Sequence, residues 1–134
     1  MKLFDLLDLD VLEWEIKEGY IRRQTHPRYP LAVLNYSNKT QIEGKWFNLT
    51  LVCRGLIYDT ETMDIVARPF EKFFNYGEHW ENELLSLNSR VEVTDKMDGS
   101  LGILYRTPDG KPMLATRGSF TSNQALHANC TYNT

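Results

Sequence analysis

The stretch NLTLVCRGLIYDTETMDIVARPF, Asn48 to Phe70, holds two β-rich runs, residues 48–59 and 64–70, separated by the four residues TETM. Leu, Val, Ile, Thr and Tyr dominate the first run, Ile, Val and Phe mark the second, and so short a connection can join only strands that run antiparallel. Parallel neighbours need a crossover of a dozen residues or more. The stretch therefore points to an antiparallel sheet, and the same grammar recurs around it. LAVLNY (31–36), RVEVT (90–94), SLGILYR (100–106) and PMLATR (112–117) read as further strands, with KMDG and TPDGKP as tight connections. Residues 3–18 space Leu3, Phe4, Leu6, Leu7, Val11, Leu12 and Trp14 at three and four, which predicts short amphipathic helical turns. Two further helices are expected at Glu78 to Leu87 and Ser122 to Asn129. The fold class expected is α+β, a predominantly antiparallel sheet with flanking helices.

Tyr20 to Pro30 carries Tyr20, Arg22, Arg23, His26, Arg28, Tyr29 and two prolines. It reads as an extended or looping basic-aromatic segment, so residues 1–30 form a helical and loop region ahead of a sheet-rich core over 31–134. At 134 residues the chain fits a single domain that can bury a core without metal or disulfide staples. Its net charge of -3 argues against a general nucleic-acid coat, but a local cationic site depends on where the cations converge. Cys53 and Cys130, far apart and in no metal-ligand spacing, read as reduced thiols of a cytoplasmic protein. Asp5, Asp8 and Asp10 interrupt the apolar N-terminus where a signal peptide would need continuity, and no run approaches membrane-spanning length.

The chemistry centres on TDKMDGSL. Lys96 stands between Asp95 and Asp98, ahead of the Gly99 turn and an apolar strand. A lysine becomes nucleophilic when neighbouring cations and partial burial disfavour its charged form. The flanking aspartates act the other way, so the help must come from elsewhere. Arg54, Arg68, Lys72 and Arg117 all lie at or near the ends of expected strands, and such cations also hold polyphosphate by charge-assisted hydrogen bonds. Gly55, Gly99 and Gly118 stand where a missing side chain would let a phosphate approach the backbone, or where a turn needs a positive φ. Phe70, Phe73, Phe74 and Tyr76 read most simply as core, and His26, His79 and His127 as isolated surface or locally hydrogen-bonded residues.

Four blocks in order, CRGLIYD, VARPFEKFFNYGE, TDKMDGSL and ATRGSFTSNQALHAN, resemble the T4 RNA ligase 1 family of the covalent nucleotidyltransferases, over about Cys53 to Asn129. The resemblance implies an ATP-dependent RNA ligase in which Lys96, of the KxDG motif, forms a lysyl-AMP intermediate. It implies that Asp98 and Gly99 shape the turn near the nucleoside and that Arg54, Lys72 and Phe74 position ATP and its phosphates. Arg117-Gly118 matches a basic-glycine pair where relatives can carry lysine. ATP and Mg²⁺ are the implied cofactors, and RNA 5′-phosphate and 3′-hydroxyl ends the implied partners. The later motifs of the family have no counterpart here. The resemblance thus implies the N-terminal part of an adenylation domain, whether as a fragment, a short viral reading frame or one half of a split enzyme completed by a second polypeptide. A non-catalytic nucleotide- or RNA-binding module is the alternative function.

Overall fold

The computed structural model describes residues 1–72 and 102–132, for the last three of these the backbone only. The expected strand at 90–94 and helix at 78–87 lie outside the described residues. The chain opens with helices α1 (Leu3–Leu6) and α2 (Leu9–Lys17). Asp8 caps α2, its Oδ1 accepting from the amides of Asp10 and Val11 at 2.9 and 3.2 Å. Asp10 in the first turn and Lys17 in the last both oppose the helix dipole.

The sheet begins earlier than the sequence suggests. Ile21–Thr25 is strand β1, not a loop, and it pairs antiparallel with β2 (Leu31–Tyr36) from Ile21↔Tyr36 to Thr25↔Ala32. β1 is an edge strand on which only Ile21 is fully buried, so it carries no apolar alternation to betray it. Arg23 is accommodated there by Glu13 of α2, at 2.6 Å.

The second correction falls within the decisive stretch. Residues Asn48–Val52 form helix α4, and the strand β3 starts only at Arg54 and runs to Asp59. Thr50 decides this locally: its Oγ1 accepts from the Phe47 amide at 3.0 Å and donates to the Lys45 and Phe47 carbonyls. That side-chain cap closes the first turn of a segment whose β-branched content would otherwise favour a strand. Ahead of it, α3 (Asn38–Glu43) is capped by Ser37 and stopped by Gly44 at φ 66°. β4 (Ile65–Ala67) follows the TETM turn and is shorter than 64–70 because Arg68-Pro69 leads the chain away. β5 (Ile103–Arg106) and β6 (Pro112–Ala115) form a second, two-stranded sheet, and α5 (Asn123–Tyr132) closes the described chain.

Among the described residues all pairings are antiparallel, in the orders β1-β2-β3-β4 and β5-β6. One face of the larger sheet sets Ala32, Leu34, Tyr36, Leu56 and Tyr58 against Leu3, Leu7 and Leu12 of the N-terminal helical region. The other sets Leu31, Val33 and Ile57 against Ile103, Tyr105 and Ala115 of the hairpin, and against Phe120. β2 and β3 are therefore covered on both sides, which is why LAVLNY and RGLIYD read as continuous apolar runs rather than alternating ones. The fold is α+β with a four-stranded antiparallel sheet and flanking helices, consistent with a partial nucleotidyltransferase-like domain.

A bulge links the two sheets. Leu34 faces Leu56 but Asn35 faces Arg54, so Gly55 is the extra residue, with φ +80°. A Cβ on Gly55 would collide with Ile103 Cδ1 and lie 3.3 Å from the Arg117 Cα. The glycine thus serves close packing of protein on protein rather than the approach of a phosphate. Gly55→Ala combines left-handed strain with overpacking, each costing about 1–3 kcal/mol. It is expected to destabilise the chain by at least ~2 kcal/mol. Urea denaturation measures this, and an unchanged midpoint would show that the hairpin moves aside freely.

Candidate functional site

Arg54, Lys72 and Arg117 stand on three segments that pack around the bulge. Arg54 opens β3, and its Nη1 donates to the Phe70 carbonyl at 3.4 Å. Two residues beyond Phe70, the Lys72 amide donates to the Leu51 carbonyl in α4 at 2.9 Å, which pins the strand after β4 next to the α4–β3 junction. Lys72 Nζ then stands 5.7 Å from the centre of the Trp46 ring. Trp46 meets Tyr36 edge to face, with ring centres 4.9 Å apart. On Tyr36 lies Arg117, its guanidinium carbon 5.1 Å from the ring centre and its Nη1 donating to the Tyr36 hydroxyl at 3.0 Å.

Arg117 and Gly118 are the central pair of a tight turn closed by the Thr116 amide on the Ser119 carbonyl at 2.9 Å. This turn abuts the bulge, since the Arg117 Cα is what a Gly55 side chain would meet. A Cβ on Gly118 would lie 3.5 Å from the Asn35 side-chain nitrogen, an ordinary van der Waals contact. The result is a row of Arg117, Tyr36, Trp46 and Lys72, with Arg54 joined through Phe70. Two guanidinium groups and an ammonium beside aromatic faces supply the donors that a phosphate chain takes and the π surfaces that a base takes. By donor chemistry the arrangement fits ATP. Neither Tyr36 nor Trp46 was marked by the sequence, because each ends an ordinary apolar or polar run and nothing in the spacing sets it apart.

Arg68 is placed differently. It pairs with Glu71 at 3.4 Å on the wall of a cavity of about 550 Å³ lined also by Ala67, Pro69, Phe70, Gly102, Ile103 and Leu104. Phe70 is 81% exposed, so it is not core as expected; its ring lines that opening and its carbonyl serves Arg54. Lys96, Phe74, Asp98 and Gly99 lie outside the described residues. Among the described residues there is no group of three or more His, Cys, Asp or Glu side chains placed to hold a metal ion. No helix among them is long and apolar enough to cross a membrane. Burial pushes the Cys53 thiol up to about 12, which removes it as a nucleophile near neutral pH.

An RNA ligase family model matches residues 52–133. A protein of Autographa californica nuclear polyhedrosis virus described as a bifunctional polynucleotide kinase/RNA ligase is 29% identical over 107 residues, covering 74% of this chain. A protein of Thermovibrio ammonificans described as an RNA ligase is 35% identical over 72 residues, covering 53% of this chain. The matches span only 15% and 19% of those two relatives. The matched region includes Arg54, Gly55, Lys72, Arg117 and the hairpin but begins after Tyr36 and Trp46, and the chain belongs to the T4 RNA ligase 1 family of RNA ligases.

Proposed function

We propose that this chain is the ATP-binding, self-adenylylating part of an ATP-dependent RNA ligase that joins RNA ends. The observation that carries the reading is the placement of Arg117 and Lys72 on the Tyr36–Trp46 pair, with Arg54 held to Phe70 two residues before Lys72, within a member of an RNA ligase family. In this reading the cations hold the phosphates of ATP, with the Lys96 amine in line with the α-phosphorus. The amine forms a P–N bond as pyrophosphate leaves, giving lysyl-AMP. AMP then passes to an RNA 5′-phosphate, and attack by a 3′-hydroxyl seals the strand and frees AMP. Displacement at phosphorus depends on positioning and on cations over the developing charge, which a fixed row of guanidinium and ammonium groups supplies. Mg²⁺ would enter with the phosphates and spread their charge further. Asp98 and Gly99 would shape the nucleophile's turn, Phe74 and Gly118 would line the nucleotide, and the setting would be the cytoplasm, a host's if the gene is viral. A second polypeptide would complete the domain if the enzyme is split.

Intact mass after incubation with ATP and Mg²⁺ tests this. One AMP adduct per chain, mapped to the peptide carrying Lys96, is the expected result. ATP binding with no adduct would support the non-catalytic binding module instead, and neither binding nor adduct would remove the nucleotide reading altogether.

A further inference from the structure

The turn that carries Arg117 is tied to the far side of the molecule by a histidine whose hydrogen bonds depend on its being neutral. His26 lies in the β1–β2 connection. Its Nδ1 accepts from the amides of Arg28 and Tyr29, at 3.0 and 3.3 Å. A ring nitrogen that accepts cannot carry a proton, so the hydrogen of the neutral ring is on Nε2, which meets the Tyr105 hydroxyl at 3.1 Å. The same ring packs on Phe120, centres 4.9 Å apart, and on Tyr29 at 5.1 Å. Beside it, the Phe120 amide donates to the Gln24 side chain at 2.8 Å. Phe120 directly follows the Thr116–Ser119 turn, so the Arg117 turn is held on one side by the Gly55 bulge and on the other by the His26 clasp.

We infer that His26 is a positioning residue for Arg117, and that its protonation loosens the clasp and makes the phosphate end of the nucleotide site sensitive to mild acid. Protonation puts a hydrogen on Nδ1, facing two amide hydrogens that already point at it. Both hydrogen bonds must break, and the loop must turn away or the ring must leave Phe120. Among the described residues, the charged and titratable groups around the ring are Arg28 and Tyr29 on its own loop and Tyr105 from β5. Asp109 of the β5–β6 turn reaches only as far as Tyr29, accepting from its hydroxyl at 3.1 Å. None of them offers the ring a carboxylate at contact distance. Burial and the Arg28 charge accordingly hold the histidine below its usual 6.5.

The sign follows. With the folded value depressed, the unfolded chain binds the proton first, so stability is full above about pH 6.5 and falls as pH drops from there to the folded value. Asp109 is held low by Thr107 and Tyr29, so its own titration comes at lower pH.

The inference rests on the phosphate-binding role of Arg117 for its functional meaning, but its structural half can be read without nucleotide. The experiment is an NMR pH titration of the nucleotide-free chain. The backbone amides of Arg117, Gly118 and Phe120 are expected to shift with the midpoint of the His26 ring, below 6.5. His26→Asn retains a side-chain oxygen that can accept from the amide two residues on, without titrating, and should erase that midpoint from all three amides. Tyr105→Phe keeps the ring packing and removes the Nε2 partner together with a weak contact to the Met113 sulfur, and should move the midpoint while keeping the coupling. Amides of Arg117 and Gly118 that stay still while His26 titrates would overturn the inference. In a second arm, ATP affinity of the wild type relative to His26→Asn is measured from pH 8 to pH 5.5. Linkage predicts that the ratio falls in acid by up to about tenfold for each pKa unit by which ATP lowers the His26 value. A flat ratio with coupled amides would show that the clasp works but that Arg117 does not touch the phosphates. A flat ratio with uncoupled amides would sink the positioning role itself.

Discussion

Lys96→Ala is expected to stay at its unmodified mass after prolonged incubation with ATP and Mg²⁺, while the parent chain gains one AMP. The variant removes the only lysine that stands in a KxDG context, and three of the other described lysines are engaged elsewhere. Lys2 holds Asp64 at 2.9 Å, Lys45 holds Glu15 at 3.0 Å, and Lys39 donates to the Glu18 carbonyl at 2.8 Å. Lys72 stands over Trp46 beside the proposed phosphate site, which makes it a competitor for the α-phosphorus. The contrast is worth measuring for that reason. A phosphoramidate forms only from an amine in line with the leaving pyrophosphate, and a displacement of about 1 Å can cost about 10²-fold. Lys72 serving a phosphate by its charge is therefore not expected to replace Lys96 as a nucleophile. ATP affinity in Lys96→Ala should survive, because the cation row is intact. An adduct that persists in Lys96→Ala and maps to Lys72 would reassign the nucleophile, and the nucleotide would then enter from the Trp46 side.

Antiparallel topology was legible because turn chemistry and strand content agree. TETM, TPDGKP and the runs on either side of them admit hairpins and little else, and the structure pairs β3 with β4 and β5 with β6 accordingly. What escaped the sequence did so for definite physical reasons. β1 is an edge strand with arginines held by partners on another element, Arg23 by Glu13, so its burial pattern has no period. NLTLV became a helix because one threonine hydroxyl closes its first turn, a tertiary and capping effect that strand propensity cannot register. The site divides in the same way. Arg54, Lys72 and Arg117 were visible as charges at strand ends, since a cation there must meet solvent, an acid or a ligand. Tyr36 and Trp46, which space those cations, look in the sequence like any aromatic of a strand end or loop. The link from His26 to Phe120 joins residues 94 apart, and only the packing of the hairpin on the sheet brings them together.

Arg54→Ala, Lys72→Ala and Arg117→Ala are each expected to weaken ATP binding by about 1.5–3 kcal/mol, the scale of a hydrogen bond to a charged group. That corresponds to roughly 10- to 150-fold in Kd. The losses should shrink as salt rises, since part of each is an exposed Coulombic attraction. The three need not behave alike. Arg117 is stacked on Tyr36 and tethered to its hydroxyl, so its guanidinium is already oriented and loses little freedom on binding. Arg117→Lys keeps the charge but not the planar fork, and should fall between the parent and the alanine variant. Tyr36→Phe keeps the ring and removes the tether, and should cost about 1 kcal/mol, acting through Arg117 alone. If the tether matters only through Arg117, then Tyr36→Phe should have no further effect in an Arg117→Ala background, and the double-mutant cycle will show a coupling equal to the whole Tyr36→Phe loss. Calorimetric titration with ATP across the set decides the matter. Unchanged affinity in all three alanine variants would return the row to a purely structural role, in which Arg117 pins its turn to Tyr36 and Lys72 covers Trp46. Additive losses for Tyr36→Phe and Arg117→Ala would show that the Tyr36 hydroxyl contacts the nucleotide in its own right.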